Sequence, residues 1–329
     1  MSIKVSIVVP VYGVERYVEK CARSLFSQTY SNIEYLFVND CTKDSSIDII
    51  KKVLNQFPNR IESVHIIEHK VNKGLSAARE TGIQSATGQY ILHVDSDDYV
   101  DVNIVQDLVE RATIDNCDIV ISGFFNEYAK KKMQDLSVCQ KLECSVYLSK
   151  IISQDILTPI WGKLIKTDLY KKNNIHCIET ISFAEDYAVL PRLLFYANTI
   201  GFVSKPLYNY THYNSSSLTN NFKWKDVSDK VMAQNCIDNF FIMTKSFGSE
   251  IRVSNLKRRA WLLRSLMSNG LPLEKSEGCF SKFSIKISDI NKLSLSHFII
   301  LYLDKMKFYL LLSLFVKSGN WVLKHEKTD

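Results

Sequence analysis

Short apolar segments alternate with helix-like segments through the first 125 residues, and this alternation constrains the fold more than any other feature. Runs of β-branched and aromatic residues begin near Val5, Ile33, Val64, Tyr90 and Ile119. Between these runs, apolar residues recur at the three- and four-residue spacing of amphipathic helices. Because the apolar runs are continuous, they predict parallel strands that helices cover on both faces. We therefore expect an α/β fold with a mostly parallel sheet.

The second part of the chain has a different pattern. A helix is expected over 186–196, and a loop rich in Ser and Asn follows over 214–221. Beyond this loop, apolar and basic residues alternate at helical spacing. The sequence thus predicts two domains, an α/β domain over residues 1–220 and a helical C-terminal region over residues 221–329.

Charge separates these two predicted domains. Residues 1–220 contain 23 Lys and Arg against 25 Asp and Glu, whereas residues 221–329 contain 18 against 10. The first domain therefore carries −2 and the last third of the chain +8, which together give the net +6 of the whole chain. A net charge this small does not indicate a nucleic-acid-binding protein.

Cysteine spacing and apolar stretches indicate a reducing compartment. The eight cysteines are scattered and form no CxxC pair, which disfavours a disulfide framework and a zinc site. The N-terminus runs directly into a strand-like segment and lacks the features of a signal peptide. The longest apolar stretch is interrupted by Asp304, Lys305 and Lys307, and no run reaches the roughly 20 residues of a membrane-spanning helix. These features predict a cytoplasmic protein.

Several motifs of common enzyme classes are absent. The sequence has no GxGxxG after the first predicted strand, no GxxxxGK[ST], no GxSxG and no HExxH. These absences disfavour dinucleotide-dependent dehydrogenases, P-loop NTPases, serine hydrolases and zinc hydrolases. In a parallel sheet, ligands bind at the carboxyl ends of the strands, so the residues that follow each strand are the next candidates.

An acidic segment follows the fourth predicted strand. Asp95, Ser96, Asp97 and Asp98 come directly after the apolar run that ends at Val94. Carboxylates two residues apart on an extended turn can face a common side, and their oxygens suit a hard divalent cation, Mg²⁺ or Mn²⁺. The position after a buried strand favours such a site over an ordinary acidic surface.

Three stretches of the sequence form a specific combination. They are VSIVVPVYGVERYVEKCARSLFSQTYSNIEYLFVNDCTKDSS, NKGLSAARETGIQSATGQYILHVDSDD and FAEDYAVLPRLL. Together they resemble the family-2 inverting glycosyltransferases of bacterial surface-polysaccharide assembly, over about residues 3–215. The resemblance implies a GT-A fold with a Rossmann-like sheet. It also implies metal-assisted transfer of a hexosyl or hexosaminyl group from a UDP-sugar to a glycan or lipid-linked acceptor.

The resemblance further implies a donor site. The residues expected to bind the nucleotide-sugar are Pro10, Val11, Tyr12, Glu15, Asp40, Asn72, Arg79, Asp95, Ser96 and Asp98. Among them, Tyr12 would stack on the base, Asp40 would accept the uracil N–H, and Asp95 would contact the ribose. Arg79 would face the base and the phosphates, and Asp98 would be an auxiliary acid near the donor.

Catalytic and metal-binding roles follow from the same resemblance. Asp97 would hold the divalent cation, Mn²⁺ or Mg²⁺, and Asp186 would be the catalytic base. Residues expected near the acceptor or the diphosphate are Trp161, Lys163, Glu185, His212 and Ser216. Two departures concern fine donor contacts: residues 39–42 are Asn-Asp-Cys-Thr where the family often has Asp-Asp-Gly-Ser, and Gly13 and Glu80 replace frequent Asn residues.

Structural explanations compete with these assignments. Tyr12 can be a core aromatic, Asp40 a turn residue and Arg79 a solvated helix residue. The acidic pair 185–186 can be the carboxylates that a helix N-terminus favours, and Trp161 can be a packing residue.

Two other functions stay open at this point. A sugar nucleotidyltransferase shares a similar sheet and acidic site, but it would need a glycine-rich loop near the N-terminus, where only Gly13 precedes Gly74. A catalytically degenerate scaffold of a glycan-assembly complex would be expected to lose the implied acids, and this chain retains them.

The basic C-terminal region has two interpretations. Apolar residues over 298–303 and 308–316 are flanked by Lys305, Lys317 and Lys324, which fits an interfacial amphipathic helix. Such a helix would give peripheral contact with the inner face of the cell membrane, where a lipid-linked acceptor is found. The alternative is a helix that packs on the catalytic domain or on a dimer partner, because the sequence does not fix the oligomeric state.

Overall fold

The structure is a computed structural model that describes residues 2–157, 159–214, 224–246, 248–268, 289, 291–306, 311 and 314–316. Two compact units are present, one of residues 1–147 and 157–222 and one of residues 148–156 and 223–329. No helix within the described residues is long and apolar enough to cross a membrane.

The first unit consists of one sheet and its covering helices. The strands are β1 (Val5–Val11), β2 (Ile33–Asn39), β3 (Val64–Glu68), β4 (Tyr90–His93), β5 (Tyr99–Val100), β6 (Ile119–Tyr128), β7 (Lys131–Asp135), β8 (Lys163–Lys166) and β9 (Ile200–Thr211). The helices are α1 (Val18–Phe26), α2 (Ser46–Leu54), α3 (Leu75–Ser85), α4 (Ile104–Ile114), α5 (Cys144–Ser153), α6 (Thr167–Lys172) and α7 (Glu185–Tyr196), with a 3₁₀ turn over Pro58–Ser63. Helix α5 contains the division between the units at residue 147.

The sheet has the order β3-β2-β1-β4-β8-β6-β9-β5, and β7 pairs with the outer part of β6. Strands β1 to β4, β6 and β9 run in one direction, and β5, β7 and β8 run in the other. Every residue of β1 and β2 is buried, as expected for central parallel strands with helices on both faces. The predicted α/β class and mostly parallel sheet are therefore confirmed.

The far half of the sheet differs from a simple strand–helix repeat. β8 lies between β4 and β6 and is antiparallel to both. With four residues, Lys-Leu-Ile-Lys, it has no periodicity that distinguishes it from a loop. Residues 129 and 130 form the turn of the β6–β7 hairpin, and Ile200–Thr211 is one continuous strand, β9.

Helix α3, which carries Arg79, packs closely on the central strand β1. A Cβ at Gly82 would lie 2.3 Å from Cγ1 of Val8, so only glycine permits this approach. Arg79 lies one turn earlier on the same helix. The Arg79 side chain reaches Asp95, in the turn after β4.

The second unit is helical in its described part. Its helices are α8 (Trp224–Met243), α9 (Ser249–Ser268) and α10 (Leu295–Lys305). A core cluster joins α9 and α10 and includes Leu256, Ala260, Leu263, Ile300 and Leu301. The predicted tail residues Lys307, Phe308, Lys317 and Lys324 lie outside the described residues.

A buried carboxylate links the start of β1 and β2 to the loop before β4. Glu34 accepts hydrogen bonds from the Ser6 hydroxyl, from the Thr87 backbone N–H at 2.7 Å and from the Gly88 N–H at 3.1 Å. The Lys4 ammonium lies 2.8 Å from its other oxygen. Burial alone would raise the pKa of Glu34, but Lys4 and the hydrogen bonds from Ser6 and Thr87 lower it to about 2.

Replacement of this carboxylate is expected to cost stability in a pH-dependent way. Glu34→Gln should lower the free energy of unfolding by about 1–3 kcal/mol at pH 7, because buried donors lose their charged acceptor. The folded pKa lies below the ordinary value of 4.5, so the contribution is complete above that value and is lost as the pH falls toward about 2. Urea denaturation between pH 3 and 7 measures it. Glu62→Gln, at an exposed position, is the control, and an equal pH dependence in both variants would contradict the assignment.

Candidate active site

Three carboxylates lie directly after β4, where the carboxyl ends of the parallel strands meet. Asp95, Asp97 and Asp98 occupy the turn between β4 and β5, and their surroundings differ. Asp95 and Asp97 are partly exposed, whereas Asp98 is buried. Ser96 between them is also buried. The structure therefore gives these neighbouring acids different chemical settings.

Asp98 anchors the end of β9. One oxygen accepts from the Tyr208 hydroxyl at 2.7 Å, and the other accepts from the Thr211 backbone N–H at 2.7 Å. The Tyr208 hydroxyl in turn accepts from the Asp95 N–H at 3.1 Å. Burial, with Asp97 and Asp95 nearby, raises the pKa of Asp98 well above its ordinary range. These bonds hold the acidic turn in place, and the expected auxiliary role of Asp98 toward a donor stays a prediction.

Asp97 is oriented by a side chain that lies far from it in the sequence. Nδ2 of Asn214 donates to Oδ2 of Asp97 at 2.8 Å, and Asn214 is buried. Burial and the charge of Asp95 raise the pKa of Asp97. Sequence reasoning missed both Asn214 and Tyr208, because each lies more than a hundred residues from the acidic turn and belongs to no recognised motif.

A buried arginine joins the acidic turn to the start of α7. One guanidinium nitrogen of Arg79 donates to Glu185 at 2.5 Å and to Asp186 at 2.6 Å, and the other donates to Asp95 at 2.7 Å. Arg79 is only 2% exposed, which excludes a solvated helix residue. Although burial disfavours its charge, Asp186, Asp95 and Glu185 raise the pKa of Arg79 further above its usual value. Its expected contact with the base and phosphates stays a prediction.

The two α7 acids sit at a strained helix start. Ala184 precedes them with φ of 65°, a left-handed conformation that non-glycine residues adopt rarely. Burial and the charge of Asp186 raise the pKa of Glu185 to about 8. Burial also raises the pKa of Asp186, while Arg79 opposes this shift. A carboxyl with a raised pKa is suited to exchange protons near neutral pH.

Lys163 and Trp161 have distinct settings on and beside β8. The Lys163 ammonium donates to the Pro159 carbonyl at 2.5 Å, and burial lowers its pKa to about 8 although Asp186 favours its charged form. Trp161 is buried, and its ring stacks on Tyr208 at a centroid distance of 4.3 Å. Trp161 therefore packs on Tyr208, whose hydroxyl contacts the acidic turn, and its expected place near the acceptor stays a prediction.

The predicted base-binding residues lie at the ends of β1 and β2. Pro10 and Val11 are buried within β1, whereas the Tyr12 ring is 54% exposed, which excludes a core aromatic. Asp40 is buried and accepts from the Gly74 N–H at 2.7 Å and the Lys73 N–H at 2.8 Å.

A histidine shares the Asp40 carboxylate. His69 Nδ1 lies 2.8 Å from Oδ1 of Asp40. Asp40 thus fixes the loop that carries exposed Asn72, consistent with the turn interpretation, and its role toward uracil stays a prediction. Exposed Glu15 accepts from the Ser45 N–H at 3.1 Å and ties the end of β1 to the start of α2.

His212 follows directly after the last residue of β9. His212 Nε2 lies 2.8 Å from the Asn126 side-chain oxygen, and its ring stacks on Tyr128 at 4.3 Å. Burial lowers the pKa of His212. Ser216 lies outside the described residues.

The donor set of the acidic turn suits a hard cation. In the part of the chain that the structure describes, no group of three or more His, Cys, Asp or Glu side chains is arranged to hold a metal ion. Asp95 and Asp97 nevertheless offer partly exposed oxygens, and their mutual repulsion contributes to the raised pKa of Asp97. A divalent cation with substrate phosphates as further ligands would relieve that repulsion.

Removal of Arg79 should destabilise the protein, because its three carboxylate partners then repel one another. Arg79→Ala is expected to lower the free energy of unfolding by about 3–5 kcal/mol, because three carboxylates are left close together without a counter-charge. The loss should shrink from pH 8 to pH 5, where these acids can take up protons. Thermal and urea unfolding of the variant measure this.

A double variant tests the origin of that loss. Adding Asp95→Asn to Arg79→Ala removes one of the repelling charges and should recover part of the stability. If the double variant is no more stable than Arg79→Ala, the loss comes from packing and not from charge.

Comparison with known proteins gives matches among glycosyltransferases. A family model described as "Glycosyl transferase family 2" matches residues 6–137. "Glycosyltransferase GlyG" of Streptococcus pneumoniae is 31% identical over 258 residues, which cover 71% of this chain and 82% of that protein. "Uncharacterized glycosyltransferase EpsJ" of Bacillus subtilis is 35% identical over 221 residues, or 65% of this chain, and the match spans 62% of the length of EpsJ.

A solved structure establishes the fold. The Staphylococcus aureus TarS fragment 1–349, crystallised with UDP-GlcNAc, aligns with a TM-score of 0.68 at 21% identity, covering 83% of this chain and 78% of that one. At this identity the likeness concerns the fold, and it confirms the expected GT-A architecture.

Proposed function

Because this chain belongs to glycosyl transferase family 2, we propose that it transfers a hexosyl or hexosaminyl group from a UDP-sugar to an acceptor hydroxyl with inversion. The observation that carries this proposal is the Arg79 network. It joins Asp95, expected on the donor side, to Asp186, expected on the acceptor side, within one set of contacts of 2.7 Å or less. A reaction between a donor and an acceptor needs such a fixed distance between its two sides.

The donor assignment rests on the ends of β1 and β2. The exposed ring of Tyr12 offers a face for base stacking. Three donors hold the Asp40 carboxylate beneath the loop that carries Asn72, so one lone-pair position of this acid remains for a base N–H. The UDP-GlcNAc bound to TarS, a protein of the same fold, supports a uridine nucleotide as donor.

We propose that Asp97 holds a divalent cation, Mn²⁺ or Mg²⁺, with Asp95 directed to the ribose. When bound, such a cation would neutralise charge on the departing diphosphate, which is worth several kcal/mol in general. Asn214 fixes the orientation of Asp97 through its 2.8 Å hydrogen bond. Asp98 has both oxygens bonded to β9 and so serves to hold the turn.

The proposed base is Asp186. It would take the proton of the acceptor hydroxyl while that oxygen bonds to the anomeric carbon and the carbon–oxygen bond to the diphosphate breaks, its electron pair leaving with UDP. Asp98 is bonded through both carboxylate oxygens to Tyr208 and Thr211, so it is unsuitable as the nucleophile of a double displacement. The resemblance to inverting family-2 enzymes supports a single displacement with inversion.

The setting of the reaction is also a proposal. A glycan or lipid-linked saccharide is the expected acceptor, in capsule, O-antigen or exopolysaccharide assembly on the cytoplasmic side of the cell membrane. The resemblance to family-2 enzymes of surface-polysaccharide assembly supports this setting.

The base assignment predicts a separation of binding from catalysis. Asp186→Asn should lower the rate of UDP release by about 10²–10⁴, with the Kd for UDP close to that of the unaltered protein by calorimetry. Loss of UDP binding in this variant would assign Asp186 to the donor site instead.

The raised pKa of Asp186 predicts the acid limb of the pH profile. We expect kcat/KM to fall at a pH above the ordinary aspartate value of 3.8, because the base must be deprotonated and its pKa is raised by burial. Asp95→Asn removes a neighbouring negative charge that raises the pKa of Asp186, and it should move this limb to lower pH. Asp168→Asn, at an exposed position on α6, is the control and should leave the limb unchanged.

The cation assignment predicts a metal-specific loss. Asp97→Ala should abolish the increase in UDP affinity that Mn²⁺ produces over EDTA, measured by calorimetry. Asp168→Ala should keep it. Full activity of Asp97→Ala with metal still required would show that another group is the ligand.

A further inference from the structure

The outer face of α10 carries apolar side chains although it faces away from the core. Ile300 and Leu301 are buried against α9. On the opposite side, Leu295, Tyr302 and Met306 are 75%, 47% and 45% exposed. Their spacing of seven and four residues puts them on one side of the helix. This helix is therefore apolar on both faces, and only one face has a partner within the described residues.

An apolar stripe along this face of α10 is formed by Leu295, Phe298, Tyr302 and Met306. Two aromatic rings are in contact at its centre. The Phe298 ring stacks on Tyr302 at 5.9 Å between centroids. Tyrosine with an apolar ring and a polar hydroxyl is favoured at a membrane–water boundary. From Leu295 to Met306 the stripe is about 18 Å long at 1.5 Å per residue. Leu311 and Leu314, farther along the chain, are also more than half exposed.

Around this stripe, the acidic side chains point inward and the lysine side chains are exposed. Asp304 turns inward to Arg259 at 3.5 Å, and Asp289 is fully buried against Arg252 at 2.6 Å. Lys292 and Lys305, in contrast, are exposed. The acids of this segment are thus neutralised inside the unit, and the surface beside the stripe presents ammonium groups.

We propose that this stripe, formed by Leu295, Phe298, Tyr302 and Met306, is a docking surface for an anionic lipid bilayer. The helix would lie in the interface with its outer face among the acyl chains and its lysines at the lipid phosphates. The +8 charge of residues 221–329 has the complementary sign. A lysine near an anionic surface strengthens binding about fivefold.

Charge argues against a second copy of the chain as the occupant. The central part of a protein–protein interface is depleted in lysine, whereas Lys305 directly adjoins Tyr302 and Met306 on this surface. A spanning helix is not required for this mode of attachment, and the described helices are not of that kind.

The test uses the full chain and vesicles of defined composition. Sedimentation with equimolar phosphatidylglycerol and phosphatidylcholine should capture the protein, with at least tenfold weaker partitioning into pure phosphatidylcholine. Raising the salt from 0.1 to 0.5 M should also weaken it, because the lysine contribution is screened.

Two variants separate the apolar and charged contributions. The triple variant Leu295→Ser, Tyr302→Ser and Met306→Ser should reduce partitioning by at least tenfold, and Lys292→Gln with Lys305→Gln should reduce it on anionic vesicles only. The matched control is Ile61→Ser, Ile114→Ser and Met133→Ser, comparably exposed positions of the first unit, which should bind as the unaltered protein does. Circular dichroism checks that each variant is folded.

Two results would overturn the proposal. One is equal partitioning of the triple variant and its control. The other is a dimer in sedimentation equilibrium that the triple variant converts to a monomer, without vesicle binding by either. UDP affinity without vesicles should be the same in all these variants, so failure of the membrane proposal is distinguishable from failure of the proposed sugar transfer.

Discussion

The buried guanidinium of Arg79 is the interaction on which the site depends. Its contacts with Asp95, Glu185 and Asp186 join residues from α3, the turn after β4 and the start of α7. Without the arginine, three carboxylates in a poorly solvated position would repel one another and take up protons. With it, they are held in fixed positions, although burial still leaves the pKa values of Glu185 and Asp186 raised. This setting suits the proposed role of Asp186 as the proton acceptor.

The rest of the first unit serves to bring these elements together. Gly82 lets α3, the helix that carries Arg79, approach β1 closely. Glu34 ties the start of β1 and β2 to the loop before β4, and Tyr208 and Thr211 of β9 hold Asp98. These contacts hold β4 at its start and the acidic turn after its end. A preorganised arrangement of this kind spares the reaction the cost of ordering its groups at the moment of transfer.

Four consecutive residues of the acidic turn illustrate why sequence neighbours differ in role. Asp95 contacts Arg79, Asp97 accepts from Asn214, and Asp98 is buried on β9. Nothing in the string Asp-Ser-Asp-Asp distinguishes these three carboxylates. Their distinct settings come from Arg79, Asn214 and Tyr208, which lie 16, 117 and 110 residues away along the chain.

The sequence by itself determined the α/β class, the order of the first strands and helices, and the family, because local periodicity and motif spacing are written in consecutive residues. Through the resemblance it also predicted site roles for Asp95, Asp97, Asp186 and Arg79, and the structure brings Arg79 into contact with Asp95 and Asp186. Only the tertiary structure decided the antiparallel insertion of β8, the burial of Arg79 against three acids, and the partners Tyr208 and Asn214. These depend on contacts between distant segments, which have no local period. The same holds for α10, whose sequence is apolar all round, so that packing against α9 decides which apolar face remains outside.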